Sequence, residues 1–477
     1  MQSRLATYRS LDRRACCSST SRHPSAISLA LSLILGCWLS GMAAMSLAED
    51  WPQWRGPTAD GRWTETGLMD KFPAPSLATT WRVPIGPGYS GPTVARGRIY
   101  VMDRQTSPKE VERVLCFDEK TGESLWVHAY ECQYNKAAAQ SPDPATKSAP
   151  RRGYSIGYTA GPRASVVIEE GRAYSIGATG HAFALDAATG QVIWSRDLEQ
   201  DYQIDMPIWG VAASPVLVGD LVVFHIGGRP GACVVALDAR TGKERWKALD
   251  DRAQYATPVL VRQGDRTVLV VWTGDSVVGL DPVSGAVHWR DLLKPRNMPI
   301  GVASPVVAGD RLFCTSFYDG SLLLKLDAAA PKAERLWHRV GRSERDTDAL
   351  QSIISTPIVL GDHVYGVDSY GELRCLELRS GDRVWEDLTA TPKSRWSTIH
   401  FVQNGDRTWM FNERGQLIIA RLTPKGYEEI SRAQLIEPTL DQLNQRGGVC
   451  WSHPAFANKH IVARNDKELV RASLAAP

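Results

Sequence analysis

The sequence has little that would bind nucleic acid, span a membrane or grip a metal. Its 55 Lys and Arg stand against 52 Asp and Glu over 477 residues. No bulk charge recruits a polyanion, and the stripe of Lys and Arg that nucleic-acid binding requires is absent. The main apolar run, from about Ala26 to Leu39, is shorter than the roughly 20 residues of a comfortable membrane span. No His-x-x-x-His or paired-carboxylate motif occurs, and there is no serine nucleophile elbow or phosphate-cradling glycine loop. His128, His181, His225, His288 and His338 stand singly, without partner spacing.

The amino-terminal region reads as a processing signal. Arg4, Arg9, Arg13, Arg14 and Arg22 precede the apolar run, and Ser46-Leu47-Ala48 offers a small-x-Ala cleavage site. Residues 1–48 are therefore expected to be a signal peptide for Sec export, leaving a soluble periplasmic or secreted chain from near Glu49 with no transmembrane segment. Gly36-Cys37 after Ile34-Leu35 faintly resembles a lipoprotein acylation site, but Leu35 and the apolar stretch after Cys37 speak against it. The residues flanking Arg13-Arg14 do not support a twin-arginine signal. Removal of this segment leaves 50 basic and 51 acidic residues. Cys16, Cys17 and Cys37 leave with it. The six that stay, Cys116, Cys132, Cys233, Cys314, Cys375 and Cys450, have no spacing that suggests a disulfide framework or zinc site. They read as small buried thiols in strands.

What the chain does have is a repeated phrase. Asp118 … Thr121-Gly122 … Trp126 returns as Ala184-Leu185-Asp186 … Thr189-Gly190 … Trp194 and as Ala236-Leu237-Asp238 … Thr241-Gly242 … Trp246. Looser copies are Gly279-Leu280-Asp281 … Ser284-Gly285 … Trp289 and Cys375-Leu376-Glu377 … Ser380-Gly381 … Trp385. A phrase recurring at intervals of tens of residues signals a repeat architecture. Each copy reads as a hairpin: Asp and Thr bond the turn amides, Gly supplies positive φ, and Trp is an apolar plate that must dock on a neighbour. Upstream of each copy lies a small residue, Pro, a strand, a Gly-Asp or Gly-Arg turn and another strand. Joined, the two phrases give four antiparallel strands per unit, the blade of a β-propeller.

Unit starts fall at Pro92, Pro162, Pro215, Pro258, Pro305, Pro357 and Pro454. In one degenerate unit, Ser397-Thr398-Ile399 aligns with Ser355-Thr356-Pro357. The expected fold is all-β, an eight-bladed β-propeller over 79–477, preceded by an extended strap over 49–78. The last unit stops after its third strand, and Thr79–Val83 offers the missing fourth, so Trp81 should close the ring by completing the eighth blade. The structural docking residues are then Trp81, Trp126, Trp194, Trp246, Trp289, Trp337 and Trp385.

The Ala-Leu-Asp-x-x-Thr-Gly-x-x-x-Trp phrase resembles the tryptophan-docking motif of pyrroloquinoline-quinone (PQQ) propellers. With the opening Trp51-Pro52-Gln53-Trp54-Arg55-Gly56-Pro57, the chain is similar over its mature length to exported PQQ-binding-like β-propeller repeat proteins. The outer-membrane-assembly propeller lipoprotein of Gram-negative bacteria shares that plan. The resemblance implies a motif that docks blades and does not itself bind quinone. More distantly, it reaches the quinoprotein alcohol dehydrogenases, which need a vicinal disulfide, an Asp base, and Asn and Glu calcium ligands. Here Cys16-Cys17 is the only adjacent pair, no such ligand cluster stands out, and no Cys-x-x-Cys-His haem site exists. Fold similarity alone is weak evidence of activity.

Positions that disobey the repeat are the candidates for function. Three residues before the Pro position most units carry Ala212, Val302, Ile354 or Thr159, but four carry aromatics: Tyr89, Tyr255, Trp396 and Trp451. These begin the innermost strands at one mouth of the channel. Arg395 and His453 sit beside them, Tyr158 and Arg163 come from the second unit, and Trp209 precedes the third. Such a half-ring suits a planar or amphipathic ligand such as a sugar, a quinone or a peptide strand, or else plugs the funnel. The long connection Val127–Gly161, with Ser141–Thr146, Lys147, Arg151 and Arg152, is either a lid over this mouth or an idle loop. The sequence thus predicts an exported, non-catalytic platform for protein or a cell-envelope polymer, with no cofactor, metal or nucleic acid. The competing reading is a PQQ- and calcium-dependent alcohol or sugar dehydrogenase with a divergent site.

Overall fold

The computed structural model describes residues 49–138, 153–442 and 447–477. The signal-peptide reading of 1–48 lies outside them, as do Ser141–Thr146, Lys147, Arg151 and Arg152 of the long connection. Among the described residues no helix is long and apolar enough to cross a membrane.

Eight four-stranded antiparallel sheets follow one another. The first blade comprises Thr93–Ala95, Arg98–Gln105, Val111–Asp118 and Ser124–Glu131. The eighth takes Ala455–Ala457, His460–Arg464 and Glu468–Ser473 from the carboxyl-terminal end, and Thr79–Pro84 as its outermost strand. Trp81 pairs with Arg471, so the two chain segments share one sheet and the open edge disappears.

The repeated phrase makes the outer hairpin of each blade. In the second, Asp186 Oδ1 accepts bonds from the amides of Ala188 and Thr189 and from the Thr189 hydroxyl, at 2.8–3.0 Å. The Thr189 bonds hold the Asp186 carboxyl below its usual pKa. Gly190 turns at φ +73°. The ladder slips by one residue directly after the Ala184–Trp194 pair; the bulge swings the indole out of its own sheet.

That indole docks on the glycine of the next hairpin. A Cβ on Gly190 would lie 2.6 Å from the Trp126 ring, and one on Gly122, Gly242 or Gly285 would lie 2.9, 2.8 or 2.6 Å from Trp81, Trp194 or Trp246. Each indole N–H also donates to a carbonyl in the receiving turn: Trp81 to Glu119, Trp126 to Ala187, Trp194 to Ala239, Trp246 to Pro282, Trp337 to Leu378 and Trp385 to Thr423.

Trp385 keeps only the carbonyl bond, since a Cβ on the seventh blade's Gly426 would meet nothing within 4 Å, and Trp289 departs further. The fifth blade's turn after Asp327 contains no glycine, so Trp289 bonds Gln263 Oε1 in its own blade, and Gln263 Nε2 carries the link onward to the Lys332 carbonyl. The seventh blade has Ser431 at the Trp position, paired with Ile419 just before the slip. Its neighbour, split between chain segments, has no hairpin turn to receive an indole. Segment 49–78 fills that junction. The Phe72 amide donates to Ser431 Oγ, and its ring packs on Trp409. Trp51, Trp63, Met69 and Leu77 join the same core.

Two unit starts need correction. In the second blade the innermost strand begins at Val167, so Val166, not Pro162, takes the Pro position, and Arg163 replaces Thr159 three residues earlier. In the seventh blade that strand is Ile399–Asn404. Counting back from its Gly405-Asp406 turn puts Phe401 at the Pro position and His400 before it, two residues beyond the predicted alignment. The long connection is also shorter than expected, because the first blade's outer strand continues to Glu131. All six described cysteines are free and buried.

Glycine substitutions separate docking from turn strain. Gly97→Ala, at φ +73° with nothing within 4 Å, should cost about 1–2 kcal/mol for its left-handed backbone alone. Gly190→Ala should cost a further 1–3 kcal/mol or so, because Trp126 must move. Urea unfolding of both variants measures the difference.

Candidate functional site

Two rings of positions surround the channel where the innermost strands begin. One residue before the Pro position stand Gly91, Ser165, Ser214, Thr257, Ser304, Thr356, His400 and His453. Their hydroxyls stitch blade to blade. The Ser165 amide donates to Ser214 Oγ at 2.9 Å, Ser214 to Thr257 Oγ1 at 3.0 Å, and Ser304 to Thr356 Oγ1 at 3.1 Å. Gly91 makes room for the oversized His453, since a Cβ there would sit 2.1 Å from the imidazole Nε2.

Three residues before the Pro position the chain builds a cavity of about 130 Å³. Eight of the nine sequence candidates line it: Tyr89, Tyr158, Arg163, Trp209, Tyr255, Trp396, Trp451 and His453. Tyr89 stacks on Trp451 at 6.4 Å, Trp451 meets Trp396 at 6.3 Å, and Trp209 reaches from Trp396 to Tyr255 at 6.1 and 5.0 Å. Tyr158, at φ +53°, stands edge-on to Trp209, Trp396 and Trp451. The stem of the long connection, Asn135–Lys136 paired with Tyr154–Ser155, leads the chain to this point. Trp396 remains in the wall despite the two-residue insertion, held at φ +68°.

Arg395 is the candidate that does not line the cavity. Its guanidinium grips Glu344 at 2.7 and 2.9 Å and lies 4.5 Å over the ring of Trp396. It braces that indole from outside.

Sequence reasoning missed Trp54 and His400. Trp54 comes from segment 49–78, donates its indole N–H to Ser304 Oγ at 3.0 Å, and presents its ring to the His453 edge at 4.1 Å. It lines this cavity and a second one of about 320 Å³ edged by Arg55, Pro215, Pro258 and Pro305. Trp54 thus partitions the channel. The available signal was a tryptophan outside the repeat. His400 was hidden by the misplaced unit start.

The imidazoles and the guanidinium here have partners within the protein. His453 Nδ1 faces the Pro454 carbonyl at 3.3 Å, which makes Nδ1 the donor and Nε2 the acceptor from the Ser165 hydroxyl at 2.8 Å. A serine–histidine pair can activate a nucleophile, but Ser165 is fully buried behind the wall. The pair is therefore a latch. Burial lowers the pKa of His400 to about 4 and that of His453 well below the ordinary value. Arg163 donates to the carbonyls of Gly161, Gly157 and Tyr158 at 2.5–2.8 Å while resting 5.0 Å over Tyr89.

This lining does not fit a calcium-bound quinone. No carboxylate faces the cavity, its one guanidinium is committed to carbonyls, and among the described residues no cluster of His, Cys, Asp or Glu could hold a metal.

The histidines make stability pH-dependent. His400 titrates near 4 folded and near 6.5 unfolded, so the unfolded state binds more protons below 6.5. The contribution is intact above that pH and lost as pH falls toward 4. Wild type should lose roughly 2 kcal/mol between pH 7 and 5 through this group. Urea midpoints for wild type and His400→Gln should converge as pH falls.

A family model described as outer membrane protein assembly factor BamB matches residues 110–387. The BamB of Yersinia pestis is 26% identical over 303 residues, covering 60% of this chain and 70% of that protein. Alignments with four further BamB sequences span about half of those proteins, 51–56%. Among solved structures, BamB from Moraxella catarrhalis superposes with a TM-score of 0.52 at 16% identity, over 83% of this chain and 97% of that one. The quinohemoprotein alcohol dehydrogenase of Comamonas testosteroni gives 0.57 at 12% identity, over 90% and 81%. At these identities the structural likenesses speak to fold alone.

Proposed function

Because the chain belongs to the family of outer membrane protein assembly factor BamB, we propose that it is an exported, non-catalytic propeller acting as a binding or assembly platform for protein or polymer in the cell envelope. The family match carries this reading. It spans the first six blades almost entirely, and those blades use the repeat for docking rather than chemistry. The channel mouth adds a rigid, concave, aromatic surface with no reactive group exposed in it. Rigid rims built from several loops recognise partners without a catalytic step.

A quinone-dependent oxidoreductase is the second reading. Similarity to the quinohemoprotein alcohol dehydrogenase ADH-IIG of Pseudomonas putida, 29% identical over 216 residues and 26% of that protein's length, favours it, and the lining described above counts against it.

Photo-crosslinking tests the platform. A crosslinkable residue at Met298 or Leu440, both exposed on connections entering the mouth side of the ring, should give light-dependent adducts with outer-membrane assembly proteins in envelope preparations. A contradictory result is the absence of adducts from both positions together with stoichiometric quinone absorbance after incubation with PQQ and calcium.

A further inference from the structure

The mouth cavity is defined closely enough to name what it takes. Its walls are largely aromatic: Tyr89, Tyr158, Trp209, Tyr255, Trp396 and Trp451. The floor is Trp54, pinned through Ser304. Most polar atoms of the lining are engaged elsewhere. The Tyr89 hydroxyl donates to the Gln442 carbonyl at 2.9 Å. The indole nitrogens of Trp396 and Trp451 are buried among the rings, away from the cavity surface, with no hydrogen-bond partner. The Ser214 hydroxyl serves the blade-to-blade ladder.

The one guanidinium in the lining is already engaged. Arg163 points at three carbonyls, and no carboxylate lines the space. A mostly apolar pocket of this kind gains by admitting an apolar guest, whereas a charged guest would give up more hydration than the ring faces return. Aromatic walls favour edge-to-face contact with another ring, and about 130 Å³ leaves room for one.

We propose that this cavity is a receptacle for a single uncharged aromatic ring, seated on Trp54 and enclosed by the mouth aromatics. The ring comes either from a small free molecule or from the side chain of a bound partner. The proposal deepens the platform reading by naming what the mouth recognises, and it is tested on the purified chain alone, so its failure leaves the crosslinking result standing.

Fluorine NMR titrations with fluorobenzene, 4-fluorobenzoate and 4-fluorobenzylammonium provide that test. Fluorobenzene should bind saturably, and both charged analogues at least ~10-fold more weakly. Ala212→Phe fills the cavity from its small-residue side and should abolish binding without shifting the thermal transition downward. Val302→Phe serves the same purpose should the first variant fold poorly. Binding of N-acetyl-4-fluorophenylalanine amide as tightly as fluorobenzene assigns the ring to a partner's side chain, and its exclusion assigns it to a free molecule. The proposal is overturned by an absence of saturable fluorobenzene binding, by equal affinity for a charged analogue, or by wild-type affinity in a folded cavity-filling variant.

Discussion

Everything in this molecule depends on one contact, the indole of one blade against the turn glycine of the next. A single hairpin cannot bury a tryptophan, so the residue that makes a blade also obliges it to have a neighbour. Closing that obligation around a ring leaves no blade with a free face. The contact is two-sided: the turn needs glycine for its positive φ, and the absence of a Cβ at that same glycine is what lets the indole approach. Backbone conformation and packing therefore select the same residue, which accounts for the persistence of Thr-Gly and Ser-Gly through otherwise divergent units.

Where the contact cannot form, the chain substitutes other chemistry. At the glycine-free turn of the fifth blade, Gln263 relays the indole bond onward. At the seam between the seventh and eighth blades, where no hairpin exists to receive an indole, segment 49–78 supplies Phe72 against Trp409. The same segment carries Trp54 across the channel. Sealing the seam and flooring the mouth are thus two results of one placement, which ties the depth of the cavity to the way the ring is closed.

The sequence made the ring legible because its determinants are local: Asp, Thr, Gly and Trp lie within one hairpin, and the orphan Thr79–Val83 strand announces closure. The mouth was legible in part. Tyr89, Tyr255 and Trp451 betray themselves by occupying a position where other units are small. Proline was the weaker guide, since Val166 and Phe401 stand in for it and shift two unit starts. Trp54 and His400 were missed for different reasons, the first because its role is purely tertiary and the second because it lay behind a misaligned start. Arg395 was misplaced because adjacency in sequence to Trp396 does not fix direction, and Glu344 draws its guanidinium away from the cavity.

The aromatic residues divide the labour: tryptophans that obey the repeat hold blades together, and aromatics outside it form the mouth. Unfolding free energies of Trp194→Ala and Trp209→Ala measure that division directly. Trp194 is buried in a dock, and its loss should cost about 3–5 kcal/mol. Trp209 lies on a connection at the mouth, and its loss should cost no more than about 1–2 kcal/mol. Equal losses, or a larger one at Trp209, would contradict the account.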